Sequence, residues 1–180
     1  QAFAAIIRDM TDRKQMEEKL RKSEERYRLI FENMNDIVYS LDSELRVTQI
    51  SPSVERILGY SPDDLLGKTI IESGLLGAEY HEKAWDNMQR VMAGETIEEE
   101  YGLTASDGSV KSVEINSSPL YQEDDIVGTI GVARDVTEKR AEEEARKEAE
   151  LRYLSLFKNS KDGIFLHDLT GQFIDANDTA

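Results

Sequence analysis

The sequence predicts an α+β fold: a five-stranded antiparallel sheet, interrupted by short helices and set between two charged helices. Three observations carry this. Residues 36–50 and 96–136 read as β-branched and alternating runs separated by turn chemistry. Between them, over residues 51–95, the apolar period changes to that of a helix. Residues 8–53 also recur without a gap 126 positions later at 134–179, with twelve identities over forty-six positions. These include Arg8/Arg134, Asp9/Asp135, Thr11/Thr137, Tyr27/Tyr153, Phe31/Phe157, Asp36/Asp162 and Asp42/Asp168. The match runs through a turn, a charged helix and a strand in one register, which charge bias alone does not reproduce. The period is the size of a domain, so the 180 residues read as a window on a tandem array, with one complete unit near residues 24–138.

The first element expected is a helix over residues 11–34. Met16, Leu20, Ser23, Tyr27, Ile30 and Met34 recur at alternating spacings of four and three within a field of Lys, Arg and Glu. So narrow an apolar seam is best covered by a partner helix, which predicts a parallel dimeric coiled coil; a single solvated helix steadied by charge pairs is the alternative. The second copy has Glu142, Arg146, Ala149, Tyr153, Leu156 and Ser160 at the same positions, so its first turns have little to bury.

A hairpin follows. Asp36 to Leu41 is a β-branched and aromatic run, Asp42-Ser43-Glu44 turns, and Leu45 to Ile50 returns. Ile164 to Leu166, the turn Asp168 to Gly171, and Phe173-Ile174 repeat that design. Val54, Ile57 and Leu58 then share a helix face that Gly59 closes, and Ser61-Pro62-Asp63-Asp64 supplies a cap, a proline and acids for a second short helix ending at Gly67. A longer helix is expected from about Tyr80 to Ala93, with His81, Ala84, Trp85, Met88, Val91 and Met92 on one face and Gly94 as its stop. From Thr96 the alternation places Ile97, Tyr101, Leu103 and Ala105 on one side and Glu98 and Glu100 on the other. Asp107-Gly108 is a strong hairpin turn, and Gln122 to Asp125 turns again before a last strand over Ile126 to Val136.

Composition narrows the partners. With 37 acidic against 22 basic residues the formal charge is −15, which repels nucleic acid and anionic membrane surfaces. The absence of cysteine excludes disulfides, thiolate metal sites and cysteine nucleophiles, and fits a reducing cytosol. No apolar run reaches the length of a membrane span.

The stretches SEERYRLIFENMNDIVYSLD, SPSVERILGYSPDDLLGK, DGSVKSVEINSSPLY and GTIGVARDVTEKR, in this order, resemble the PAS domain with its C-terminal PAC motif, the sensory unit of prokaryotic signalling proteins. The likeness covers residues 24–140. It implies a sheet of strand order 2-1-5-4-3 with helices on one face, a small cavity between them, and signals passing along helices at both ends. It also reads residues 1–10 as the closing strand of a preceding PAS unit, 11–34 as a linker helix, 35–137 as the complete domain, 138–160 as the exit helix and 161–180 as the start of a following unit. Asp135-Val136-Thr137 looks like the family's D-x-T junction, and Asp9-Met10-Thr11 repeats it. Thr137 is placed to cap the exit helix, with Glu138 where the helix dipole favours an acid.

Motifs for catalysis are missing from the window: there is no phosphate loop, nucleophile elbow, HExxH pair, kinase transmitter or cyclase signature. His81 is the residue best placed to bind a metal cofactor, yet the haem-ligand position of the family falls near Lys83, so haem is not expected and no metal site is assigned. Without cysteine, flavin photochemistry through a thiol adduct is excluded. Tyr39, Val54, Leu58, Trp85, Met88, Tyr101 and Ile115 are the candidate cavity lining, with simple core filling as the competing reading. The function expected is a non-catalytic sensory and dimerisation module of a multi-PAS protein such as a sensor histidine kinase. Its partners would be a second copy through the linker helices, neighbouring units, an output domain and a small-molecule ligand. A haem or flavin sensor and a passive spacer are the alternatives. The strands of residues 161–180 are expected to be disordered or to pair with residues 1–10 of a neighbouring chain.

Overall fold

The computed structural model describes residues 13–179 in full, with the first helix, α1, bounded at Ala2–Asn33. The reading of residues 1–10 as a closing strand, with Asp9 and Thr11 at its junction, lies outside the described residues. Two compact units are present, Gln1–Val136 and Thr137–Ala180.

In the first unit α1 leads to β1 (Ile37–Asp42) and β2 (Val47–Ile50). Three short helical pieces follow: α2 (Ser53–Leu58), α3 (Pro62–Leu65) and a single 3₁₀ turn (Ala78–Tyr80). The longer α4 (His81–Met92) precedes the meander β3 (Ile97–Thr104), β4 (Val110–Gln122) and β5 (Asp125–Asp135). All strand pairs are antiparallel in the order β2-β1-β5-β4-β3, as the family resemblance implied. Hairpins account for three of the four pairings, and docking of β5 on β1 joins the first and last strands of the unit into one sheet.

Register decides which side chains meet. Tyr39 lies opposite Gly131, Gly131 opposite Ser117, and Ser117 opposite Ile97, so this row crosses four strands on one face. A second row joins Ile37, Ala133, Ile115 and Glu99. The helical insert covers the same face, where Val54, Leu58, Leu65 and Val91 are buried with Val113. Both sheet edges are closed by that insert. Val47 exchanges hydrogen bonds with Gly67 and Lys68 outside β2, and Thr104 donates to the Leu75 carbonyl outside β3.

Those edge contacts show how curled the sheet is. Thr69 bridges Arg46 beyond β2, and Leu76 bridges Leu103 beyond β3. A flat arrangement would separate them by six strand spacings, about 29 Å. The seven residue steps from Thr69 to Leu76 reach at most about 25 Å even when extended. The sheet therefore wraps toward the insert, and the curl encloses the space between them.

The turn after β1 explains one repeated identity. Asp42 Oδ1 accepts from the backbone N–H of Glu44 and of Arg46, each at 2.9 Å. In the second unit Asp168 Oδ1 accepts from Thr170 and Gln172, each at 2.8 Å. The turn needs a left-handed residue: Gly171 supplies it there at φ 85°, whereas Leu45 takes the equivalent place at φ 62°. Leu45 is driven into that conformation because its side chain is 2% exposed in the core.

The second unit contains α5 (Thr137–Asn159), β6 (Phe165–His167) and β7 (Phe173–Ala176). Here the expectation of disordered strands is corrected: β6 and β7 pair with each other as an antiparallel ribbon. The Asp168 turn fixes the ribbon at one end. At the other, Asn177 donates to the carbonyls of Phe157 and Asp162 at 3.0 Å and accepts from the Ile164 N–H at 2.8 Å. The equivalent residue of the first unit, Ser51, likewise accepts from the Val38 N–H at 2.8 Å.

Candidate functional site

The curled sheet and α4 enclose a cavity of about 100 Å³. Six of the seven expected lining residues border it: Tyr39, Val54, Leu58, Met88, Tyr101 and Ile115. Trp85 does not. Its place on the helix lies about 100° round from Ala84, while Ala84, Asn87, Met88 and Val91, at the i, i+3, i+4, i+7 spacing, form the buried stripe. Trp85 is left 42% exposed. A flanking position on an amphipathic helix cannot be separated from the core face by apolar character alone.

Sequence reasoning missed the polar groups of this cavity. Asn87, Ser117 and Thr129 line it together with the aliphatic residues. The Tyr39 and Ser117 hydroxyls meet at 2.5 Å across Gly131. Gly131 is required there, since a Cβ would lie 2.6 Å from Ser117 Oγ and 2.7 Å from Tyr39 Oη. Burial pushes the Tyr39 hydroxyl pKa up to about 12. Burial also raises that of Tyr101.

Ion pairs and a ring contact strap α4 onto β3. Lys83 Nζ lies 2.8 Å from Glu99, donates to the Glu100 carbonyl at 2.9 Å, and sits 4.6 Å from the centre of the Tyr101 ring. Arg90 donates to Glu95 at 2.9 Å and to Asn87 Oδ1 at 3.2 Å. Asn87 Nδ2 in turn donates to Tyr101 Oη at 2.7 Å. The hydrogen bond from Lys83 holds the Glu99 carboxyl below its usual pKa. His81 is engaged elsewhere, with Nε2 3.2 Å from the Leu76 carbonyl, and no histidine borders the cavity.

At the junction end, β5 carries Thr129 and Ala133 on the cavity wall and ends at Asp135. Lys111 lies 3.9 Å from Asp135, and the Val136 N–H donates to the Ser112 carbonyl at 2.9 Å. Thr137 opens α5, with Glu138 in the first turn. Nearby, both Nε and Nη2 of Arg134 donate to Asp36 Oδ2, at 3.1 and 3.0 Å. This pair ties the start of β1 to the end of β5. Both of its residues are among the repeated identities, so a signal existed, but their pairing spans 98 positions and needed the fold.

Among the described residues no helix is long and apolar enough to cross a membrane. A family model described as "PAS fold" matches residues 31–141, and one described as "PAS domain" matches 151–180. The chain is 29% identical to sporulation kinase E of Bacillus subtilis over 178 residues, 99% of the chain but 23% of that protein. It is 29% identical over 129 residues to the methyl sulfide methyltransferase-associated sensor of Methanosarcina acetivorans, covering 71% of the chain and 13% of that sensor. The chain thus spans under a quarter of either relative. Among solved structures, the PAS domain of an HTR-like protein from Haloarcula marismortui superposes with a TM-score of 0.59 at 24% identity, covering 68% of this chain and 98% of that one. Strand order, insert, cavity and family match agree: the chain belongs to the PAS family and carries a sensory module of signal transduction.

Proposed function

We propose that the unit senses without catalysing, as a ligand-responsive and dimer-forming module within a multi-PAS protein of the sensor histidine kinase kind, acting in the cytoplasm. The layout that accompanies this reading is a linker helix over 11–34, a complete domain over 35–137, an exit helix over 138–160 and the start of another unit from 161. The observation that carries it is the path of β5. Thr129 and Ala133 border the cavity, and the chain reaches Thr137 only four residues beyond Ala133. Occupancy of the cavity, or a change in packing between copies, biases that strand and hence the first turn of α5. A bias of a few kcal/mol suffices to move a two-state element.

The test uses the full-length parent protein and two variants, Ala133→Leu in the cavity and Thr137→Gly at the helix start. Both are expected to alter signalling output while circular dichroism and thermal melting show the unit folded. A folded Thr137→Gly protein with unaltered output would reject the junction as the transmitting step.

A further inference from the structure

We propose that the cavity selects a small uncharged molecule bearing a hydrogen-bond acceptor, of the ketone, amide or ester class, which the Tyr101 hydroxyl and the Tyr39–Ser117 pair hold by donation. This rests on the reading of the cavity as a ligand site and adds the chemistry of the ligand.

The inference comes from counting protons. Tyr39 and Ser117 carry two hydroxyl hydrogens, and the bond between their oxygens uses one. Among the described residues neither oxygen has another hydrogen-bond partner, so one O–H remains to be used. Tyr101 carries the second spare donor. Arg90 is a donor only, so the Asn87 atom facing it must be the carbonyl oxygen. The amide nitrogen is then the atom facing Tyr101, and the Tyr101 oxygen accepts from it. Turning the amide over would set two donors against each other at Arg90. The Tyr101 hydrogen is therefore left without an acceptor, on a residue only 6% exposed.

The cavity thus holds at least two spare donors, while each of its hydroxyl oxygens is already engaged once, that of Thr129 by donation to the Ser118 carbonyl. A ligand that brings lone pairs completes the hydrogen bonding, whereas a hydrocarbon leaves buried donors unsatisfied. Among the described residues no charged side chain borders the space, so an ion would be desolvated without a counter-charge. The volume sets the size. A cavity of about 150 Å³ accepts benzene, with its six heavy atoms, so about 100 Å³ suits a ligand of about four or five heavy atoms.

Binding of 2-butanone, n-pentane, propanoate and xenon to the folded chain would be measured by NMR titration at pH 7, for the wild type, for the double variant Tyr39→Phe with Ser117→Ala, and for Tyr101→Phe. Expected are 2-butanone binding in the wild type, a loss of about tenfold in each variant, and unchanged or tighter n-pentane binding in the variants. Equal losses for 2-butanone and n-pentane, or unaltered 2-butanone binding, would overturn the acceptor reading while leaving a ligand cavity standing. Tighter propanoate than 2-butanone would overturn the requirement for a neutral ligand. If xenon and all three organic probes leave the cavity resonances unmoved, this inference falls together with the ligand reading beneath it.

Discussion

Two residues show opposing local terms resolved by magnitude. Leu45 holds a left-handed backbone, which costs about 1–2 kcal/mol for a residue with a Cβ. Deleting a buried leucine side chain costs about 2–5 kcal/mol, so burial wins over backbone strain. Leu45→Gly is expected to lower stability by about 1–3 kcal/mol, read as a lower urea midpoint at unchanged slope. A midpoint equal to or above the wild type would show strain dominating. Tyr39 supplies the second case. Its pKa is raised from 10.0 to about 12 by burial, so the folded state keeps the phenolic proton at pH values where the unfolded chain releases it. Stability from this group is complete below pH 10 and is lost as the pH rises toward 12. Denaturant titrations at pH 9 and pH 11 are expected to show a smaller alkaline loss for Tyr39→Phe than for the wild type. Identical losses would place the alkaline sensitivity elsewhere.

At the scale of elements, the two charged helices differ in what they leave uncovered. On α1, Met16, Leu20, Tyr27 and Ile30 are 57–71% exposed along one stripe, flanked by ion pairs such as Arg13–Glu17 at 3.0 Å and Arg21–Glu25 at 2.6 Å. Those exposed pairs contribute little individually, so the stripe is the larger reserve of free energy. A partner helix would cover it. The equivalent stripe of α5 begins with Glu142 and Arg146 and becomes apolar only at Tyr153 and Leu156. The double variant Leu20→Glu with Ile30→Glu is therefore expected to shift the chain toward monomer in sedimentation velocity, while Arg146→Glu leaves association unchanged. Equal behaviour of the two variants would remove α1 as the dimer contact. The short helices behave differently: α2 and α3 have no stability of their own and persist because Val54, Leu58 and Leu65 are buried.

At the scale of the whole molecule, the same 46-residue pattern appears in two settings. In the first unit the hairpin of β1 and β2 is completed by β5, β4 and β3, and Ile37, Leu41 and Val47 are buried. In the second the corresponding ribbon stands as a two-stranded sheet with Phe165, Phe173 and Ile174 at 56–57% exposure. Local turn chemistry, repeated through Asp42 and Asp168, holds the ribbon at one end and the Asn177 contacts hold it at the other. In the first unit the apolar face of the hairpin is buried by the other three strands and the helical insert.

The amino-acid sequence by itself determined the elements, the meander and the fold family, because periodicity, turn residues and the internal repeat are local signals; six of the seven residues it offered as cavity lining border the cavity. It misassigned Trp85, since a residue beside the buried stripe of a helix has the same spacing signature as one within it. It left unseen the Tyr39–Ser117 pair over Gly131, the Arg90–Asn87–Tyr101 chain and the Asp36–Arg134 tie. Each of these depends on strand register or on the curl of the sheet, which join residues far apart along the chain. Tertiary structure alone decided which hydroxyl hydrogens remain unspent, because a donor count is settled only when every neighbouring acceptor has a position.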